Sequence, residues 1–180
     1  MKKVKILLAA LLSITVIGGM AIPSQAASSE VNIEVKATDM NVSVTVPSTL
    51  PIIFNANGTN TLPTNWTIEN LSAIAGIHLS EISMDAHETG WKLLADMVNV
   101  KELSADTKSI KFSVGKEGAL KLVVADGDAS ATGSVTFAES EISIPSGEKE
   151  VLSFDVERGA FTENAASAKA FDMVLTFNFN

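Results

Sequence analysis

Two histidines, His78 and His87, are the only imidazoles in a 180-residue chain that has no cysteine. They lie nine residues apart, an odd separation that puts them on opposite faces of any one strand. His87-Glu88 lacks the second histidine that a zinc-protease helix requires. His87 sits among Asp85, Glu88, Thr89 and Gly90, a loop composition in which an isolated histidine is solvated. Serines are plentiful, but no Gly-x-Ser-x-Gly elbow exists to present one as a nucleophile. Asp85, Glu88, Asp96, Glu102 and Asp106 offer carboxylate pairs of the kind that hydrolyse glycosides. The stacking aromatics that usually accompany such a pair are scarce, with no Tyr and two Trp. Asp126-Gly127-Asp128 and Asn55-Ala56-Asn57-Gly58 are pieces of calcium loops without the closing bidentate Glu. Hairpin turns demand the same residues for their positive φ angles. The expectation is a non-enzymatic chain with no catalytic, cofactor-binding or metal-ligating set.

The tryptophans are the other residues with a chemical case to make. Trp91 and Leu93 fall on one face of a strand, with Lys92 on the other. Two readings stand: Trp66 and Trp91 both fill a core, or a surface aromatic meets cell wall or a partner protein. Trp91 and Leu93 are therefore the candidate contact residues.

Period-two alternation dominates the elements that must position these residues. Val31, Ile33 and Val35 alternate with Asn32, Glu34 and Lys36; Val42, Val44 and Val46 alternate with Asn41, Ser43 and Thr45. Further strands are expected over 51–54, 66–70, 73–84, 91–94, 109–114, 120–124, 133–137, 141–144 and 151–156. A last one, 171–180, carries Phe171, Met173, Leu175, Phe177 and Phe179 on one face. Glycine-bearing turns at Gly115–Gly118, Asp126-Gly127 and Ser146-Gly147 separate them. Only 95–105 and the Ala-rich 162–170 invite a turn or two of helix. About ten short strands predict an all-β, two-sheet antiparallel sandwich, Greek key or jelly roll, with little helix. Four Asn-x-Ser/Thr sequons, including Asn70-Leu71-Ser72, read as Asn in turns and on strand faces.

The chain opens with Lys2, Lys3 and Lys5, an apolar run from Ile6 to Met20, Pro23, and then Ser24-Gln25-Ala26. That order reads as a secretory signal cleaved after Ala26, and the run is short for a membrane span. Residues 27–180 then form a single β-sandwich domain, secreted, and extracellular or wall-associated. The precursor charge of −8 becomes −11, because the signal holds three of the 13 basic residues and none of the 21 acidic ones. Such a surface repels phosphate backbones and anionic lipid heads, so neither nucleic acid nor membrane is an expected partner.

Gly90-Trp91-Lys92-Leu93 is similar to the Trp-x-Leu signature of WxL-type surface domains of low-GC Gram-positive bacteria. The layout around it, with Val46-Pro47-Ser48-Thr49-Leu50-Pro51 and Phe54 before and Ser143-Ile144-Pro145 after, is similar too. The second Trp-x-Leu is replaced by Leu175-Thr176-Phe177. The resemblance implies a secreted β-sandwich held non-covalently on peptidoglycan. Size, signal peptide and all-β pattern also resemble, more loosely, the subunits of TasA-like biofilm fibres. The expected role is a structural or adhesive cell-surface module bound to peptidoglycan, to other surface proteins or to itself. A secreted carbohydrate- or calcium-binding module is the alternative, and an unrecognised extracellular hydrolase a third.

Residues 27–40 carry one more expectation. A strand of six residues with Val31, Ile33 and Val35 on one face is not stable alone in water. It must join a sheet, as an N-terminal edge strand at home or as a strand donated to a neighbour, with a break at Thr38-Asp39 as the hinge.

Overall fold

The computed structural model describes residues 27–37, 43–55, 58–86, 90–162 and 168–180. The expected signal at 1–26, the hinge at Thr38-Asp39, the turn residues Ala56 and Asn57, and His87 with Glu88 lie outside them.

The described chain is built of strands, with one short 3-10 turn at Val100–Glu102. Among the described residues fifteen strands are formed, five of them only two residues long. They are β1 (Ala27–Ala37), β2 (Val44–Thr45), β3 (Ile52–Phe54), β4 (Asn60–Thr61), β5 (Trp66–Asn70), β6 (Ile77–Asp85), β7 (Lys92–Leu94) and β8 (Ser109–Lys116). The remainder are β9 (Ala119–Leu122), β10 (Val124–Ala125), β11 (Ala129–Ser130), β12 (Thr132–Thr136), β13 (Ser143–Ile144), β14 (Lys149–Arg158) and β15 (Ala168–Phe179). One sheet has the order β10-β12-β6-β15-β1-β3-β4, with β13 also on β6. The other runs β11-β7-β8-β14-β5-β2, with β9 also on β8. All-β architecture is thus the fold, as the alternation requires. Pairing is mostly antiparallel, but β1 lies parallel to β15 and β7 parallel to β8.

Each sheet turns one apolar row inward, and the rows meet in a single core. β5 shows the pattern in its simplest form: Trp66, Ile68 and Asn70 are buried, Thr67 and Glu69 half-buried. Trp66 meets Phe154 edge to face at 5.6 Å and donates its indole N–H to the Thr49 carbonyl at 3.1 Å. The central strand of the first sheet is β15, between β6 and β1, with Phe171, Met173, Leu175 and Phe177 fully inside. Gly133 lets β12 pass β10 closely, since a Cβ there would stand 2.6 Å from the Val124 carbonyl oxygen.

Residues 95–105 hold the expected turn, a single one at Val100–Glu102, opened by the Asn99 side chain accepting from the Lys101 N–H. In the other stretch, 162–170, residues 163–167 lie outside the described ones, and Ala168–Ala170 belong to β15. The expected strand over 73–84 starts later, at Ile77.

The reason is Asn70. Its side chain is completely buried, and its amide donates to the carbonyls of Ala75 at 2.9 Å, Ile144 at 3.0 Å and Pro145 at 3.2 Å. Its oxygen accepts from the Ser72 N–H at 3.0 Å. The loop 71–76 is therefore wound around one amide and tied to β13. Replacing Asn70 by Ala strands several buried polar groups, at about 1–3 kcal/mol each. We expect Asn70→Ala to lower stability by about 3 kcal/mol or more, read from the shift of a urea midpoint.

Candidate functional site

The pairing of β1 singles out the N-terminal strand. It runs along β15 from Ser29 opposite Ala168 to Ala37 opposite Phe177, with one irregularity between Glu30 and Val31. On its other side it pairs with β3 over Ala27, Ser28 and Ser29. Among the described residues, the β3–β4 hairpin therefore joins the first sheet only through β1. So β1 is not a tail: Ala27–Ser29 pair with β3, Ser29–Ala37 run along β15, and among the described residues Ser29 is the one paired on both sides. The candidate donor residues Val31, Ile33 and Val35 stand in register with Phe171, Met173 and Leu175. Ile33 is partly buried and packs on the core, whereas Glu34, opposite Val174, is exposed.

The two ends of β1 meet different surroundings. Ala27 pairs with Phe54, a member of an aromatic cluster. Phe54 lies 5.6 Å from Trp91 and 6.0 Å from Phe161, and Trp91 lies 6.3 Å from Phe171. Arg158 covers this cluster, 5.1 Å from both the Phe54 and Phe161 rings. Its Nε donates to Asn60 and its terminal nitrogens to the carbonyls of Asn55, Thr59 and Gly159. Partial burial pushes its guanidinium pKa down. No residue pattern in the sequence marks this clamp, because its partners on the β3–β4 hairpin lie about a hundred positions away.

At the other end, Ala37 reaches the level of Phe177, next to Leu79. Ser43, where the described chain resumes, accepts from the Leu71 N–H at 2.7 Å and donates its own N–H to Ser72 Oγ at 3.2 Å. Ala37 and Ser43 therefore sit at the same end of the sandwich.

Trp91 is 4% exposed and Leu93 fully buried, so the structure places both in the core, the first of the two readings. Lys92 between them is exposed. His78 is half-buried on β6, with Nδ1 2.9 Å from the Asn180 side-chain oxygen. Asp126-Gly127-Asp128 forms the β10–β11 turn, where Gly127 has φ 129° and Asp126 accepts from Thr132. Asp96, Glu102 and Asp106 are scattered over the 95–108 loop. Among the described residues, no three His, Asp or Glu side chains gather as metal ligands would.

Carboxylates do gather on the face of the first sheet turned away from the core. Glu34, Glu81, Asp85, Asp126 and Asp172 line an open groove of about 500 Å³ together with Ser83, Thr132 and Ser134. Asp85 and Asp172 are register partners on neighbouring strands, an arrangement that opposes like charges. Lys169 offsets part of it by pairing with Asp172 at 2.7 Å.

Two carboxylates act as clasps. Asp106, at φ 64°, accepts from the Thr162 N–H at 2.8 Å and hydroxyl at 2.5 Å, which holds its pKa below the ordinary value. Glu141 accepts from Lys121 and from the Ala138 N–H, each at 2.6 Å, with the same direction of shift. A depressed carboxylate pKa adds stability that is complete above the unfolded value and disappears as pH falls through the folded one. Melting temperature should therefore fall on acidification below about pH 4. Asp106→Asn, which tolerates the positive φ, should flatten that fall when melts are compared across pH.

The chain matches no family model, no curated protein and no solved structure.

Proposed function

We propose that the chain is an extracellular structural module that enters a non-covalent cell-surface assembly by lending its N-terminal strand to another copy. The observation that carries this reading is the placement of β1. It begins at Ala27, the first residue after the expected signal cleavage, and among the described residues it supplies the only link between β15 and the β3–β4 hairpin. A strand at a free chain terminus leaves its place without threading the rest of the fold. An identical strand from a second copy offers the same backbone hydrogen bonds and the same alternating side chains. The basic start, apolar run and Ser24-Gln25-Ala26 support export.

Retention on the wall, which the WxL resemblance implies, falls in this reading to the assembled surface. Trp91, as a core residue, supports the fold beneath it.

Refolding the chain that begins at Ala27 from denaturant, at increasing concentration, tests the proposal. Oligomers should appear by light scattering, and an excess of synthetic Ala27–Ala37 peptide present during refolding should suppress them. Monomer at every concentration would remove the reading.

A further inference from the structure

We infer that strand exchange in this protein closes a two-fold dimer, joined at the end that carries Ser43 and the loop 71–76, with Leu71 and Ile74 buried between the two copies. The inference rests on the strand-lending reading and adds its geometry.

The first observation is the length of chain between β1 and the body. From Ala37 to Ser43 there are six Cα steps, which span at most about 20 Å. When β1 of one copy lies on β15 of another, its Ala37 sits at the acceptor's Phe177 end. Its own Ser43 must then lie within that reach. Ser43 is fixed to Leu71 and Ser72 of the donor's body. The donor's 71–76 end is thereby drawn against the acceptor's Phe177 end.

The second observation is that these two ends are the same end of the fold. Phe177 pairs with Leu79, Phe179 with Ile77, and the Asn180 N–H donates to the Gly76 carbonyl at 3.1 Å. The acceptor's own Ser43 is therefore beside the donor's vacated seat, within the same six-step reach. Reciprocal exchange fills both seats and closes the assembly. An open chain would have to crowd a third body onto the same end and would leave a seat empty at its terminus. Closed isologous pairing is also the commonest oligomer symmetry.

The third observation is what that end displays. Ile74 is 90% exposed and Leu71 52%, the first of these among the most exposed large apolar side chains described. Their loop is held from beneath by the buried Asn70 amide and by Ser146 Oγ donating to the Ser72 carbonyl. A firmly held apolar tip needs no reordering on contact, so its burial is gained at low entropic cost. Strand exchange alone gives the same strand contacts in monomer and dimer. The contact across Leu71 and Ile74 is what distinguishes them.

The natural absence of cysteine makes the test direct. Ile74→Cys, refolded and mildly oxidised, should give an interchain disulfide in a particle of two chains. Ala160→Cys, exposed just beyond the far end of β14, should stay uncrosslinked. Ile74→Asp in the unmodified chain should weaken the dimer at least tenfold by sedimentation, leaving the monomer's melting temperature unchanged. A cross-link in the Ala160→Cys chain without one in the Ile74→Cys chain, or a ladder of larger oligomers, overturns the closed dimer. An equal mixture of Glu34→Cys and Val174→Cys chains separates the two ideas. An interchain bond there, with none at position 74, sinks only the dimer geometry; no bond there sinks strand lending itself.

Discussion

A chain ending at Leu175 should show no cooperative thermal transition. Losing the last five residues removes Phe177, which is 2% exposed, and Phe179, which packs on the core from its rim. It also removes the β15 pairing to Leu79, His78 and Ile77 and the partners of Lys36 and Ala37 in β1. Asn180 goes with them, and with it the bonds to His78 and to Ser143 at 2.7 Å. Loss of one buried Phe side chain costs about 3–5 kcal/mol, against a total stability of about 5–15 kcal/mol for a typical domain. The further losses come on top of that. Circular dichroism through a thermal ramp reads the result; an unchanged melting temperature in the truncated chain would show that the strand is not central. Phe177→Ala alone should fold, less stably by about 3–5 kcal/mol.

The second large effect belongs to Trp91. Its ring touches Phe54, Phe161 at 6.2 Å and Phe171, joining β3, the segment after β14, and β15 around one side chain. Trp91→Ala should therefore cost about 3–5 kcal/mol, measured by urea unfolding. Trp91→Phe keeps an aromatic ring in the cluster and should cost clearly less. The pair also tests the Trp-x-Leu resemblance. If Trp91 itself gripped peptidoglycan, Trp91→Phe would abolish wall retention in a protein that is still folded. With Trp91 as a core residue, retention should follow the folded fraction in both variants.

Much of this fold was legible because alternation is a direct consequence of burying one side of a strand. The 66–70 strand is observed over the same residues, and the strand expected over 171–180 is observed as β15, which starts three residues earlier and ends at Phe179. Burial of both tryptophans agrees with the core reading of large aromatics. What escaped were features set by distant partners. Ala73-Ile74-Ala75 is apolar enough to pass for strand, yet Asn70 bends it into a loop through bonds to Ile144 and Pro145, 74 and 75 positions on. Parallel pairing of β1 with β15 joins Ser29 to Ala168, a choice no local pattern encodes. The aromatic cap by Arg158 and the Asp106–Thr162 clasp were missed for the same reason. A lone Arg or Asp carries no sign of what the fold brings to it. The candidate strand at 31–36 was recognisable from its three alternating apolar residues; its role as the link between β15 and β3 was not.

A mixed-chain cross-link measures directly whether β1 of one copy rests on β15 of another. Glu34 and Val174 are register partners across the β1–β15 pair. Neighbouring strands stand about 4.8 Å apart, within disulfide reach. Glu34→Cys and Val174→Cys chains, each beginning at Ala27, are refolded together in equal amounts and oxidised. The predicted result is a covalent heterodimer joining one chain of each kind, with its 34–174 bond confirmed by peptide mass mapping. Two uncrosslinked species from that mixture, while the Glu34→Cys/Val174→Cys double variant forms the bond within one chain, would contradict the account and leave β1 as a strand of its own domain.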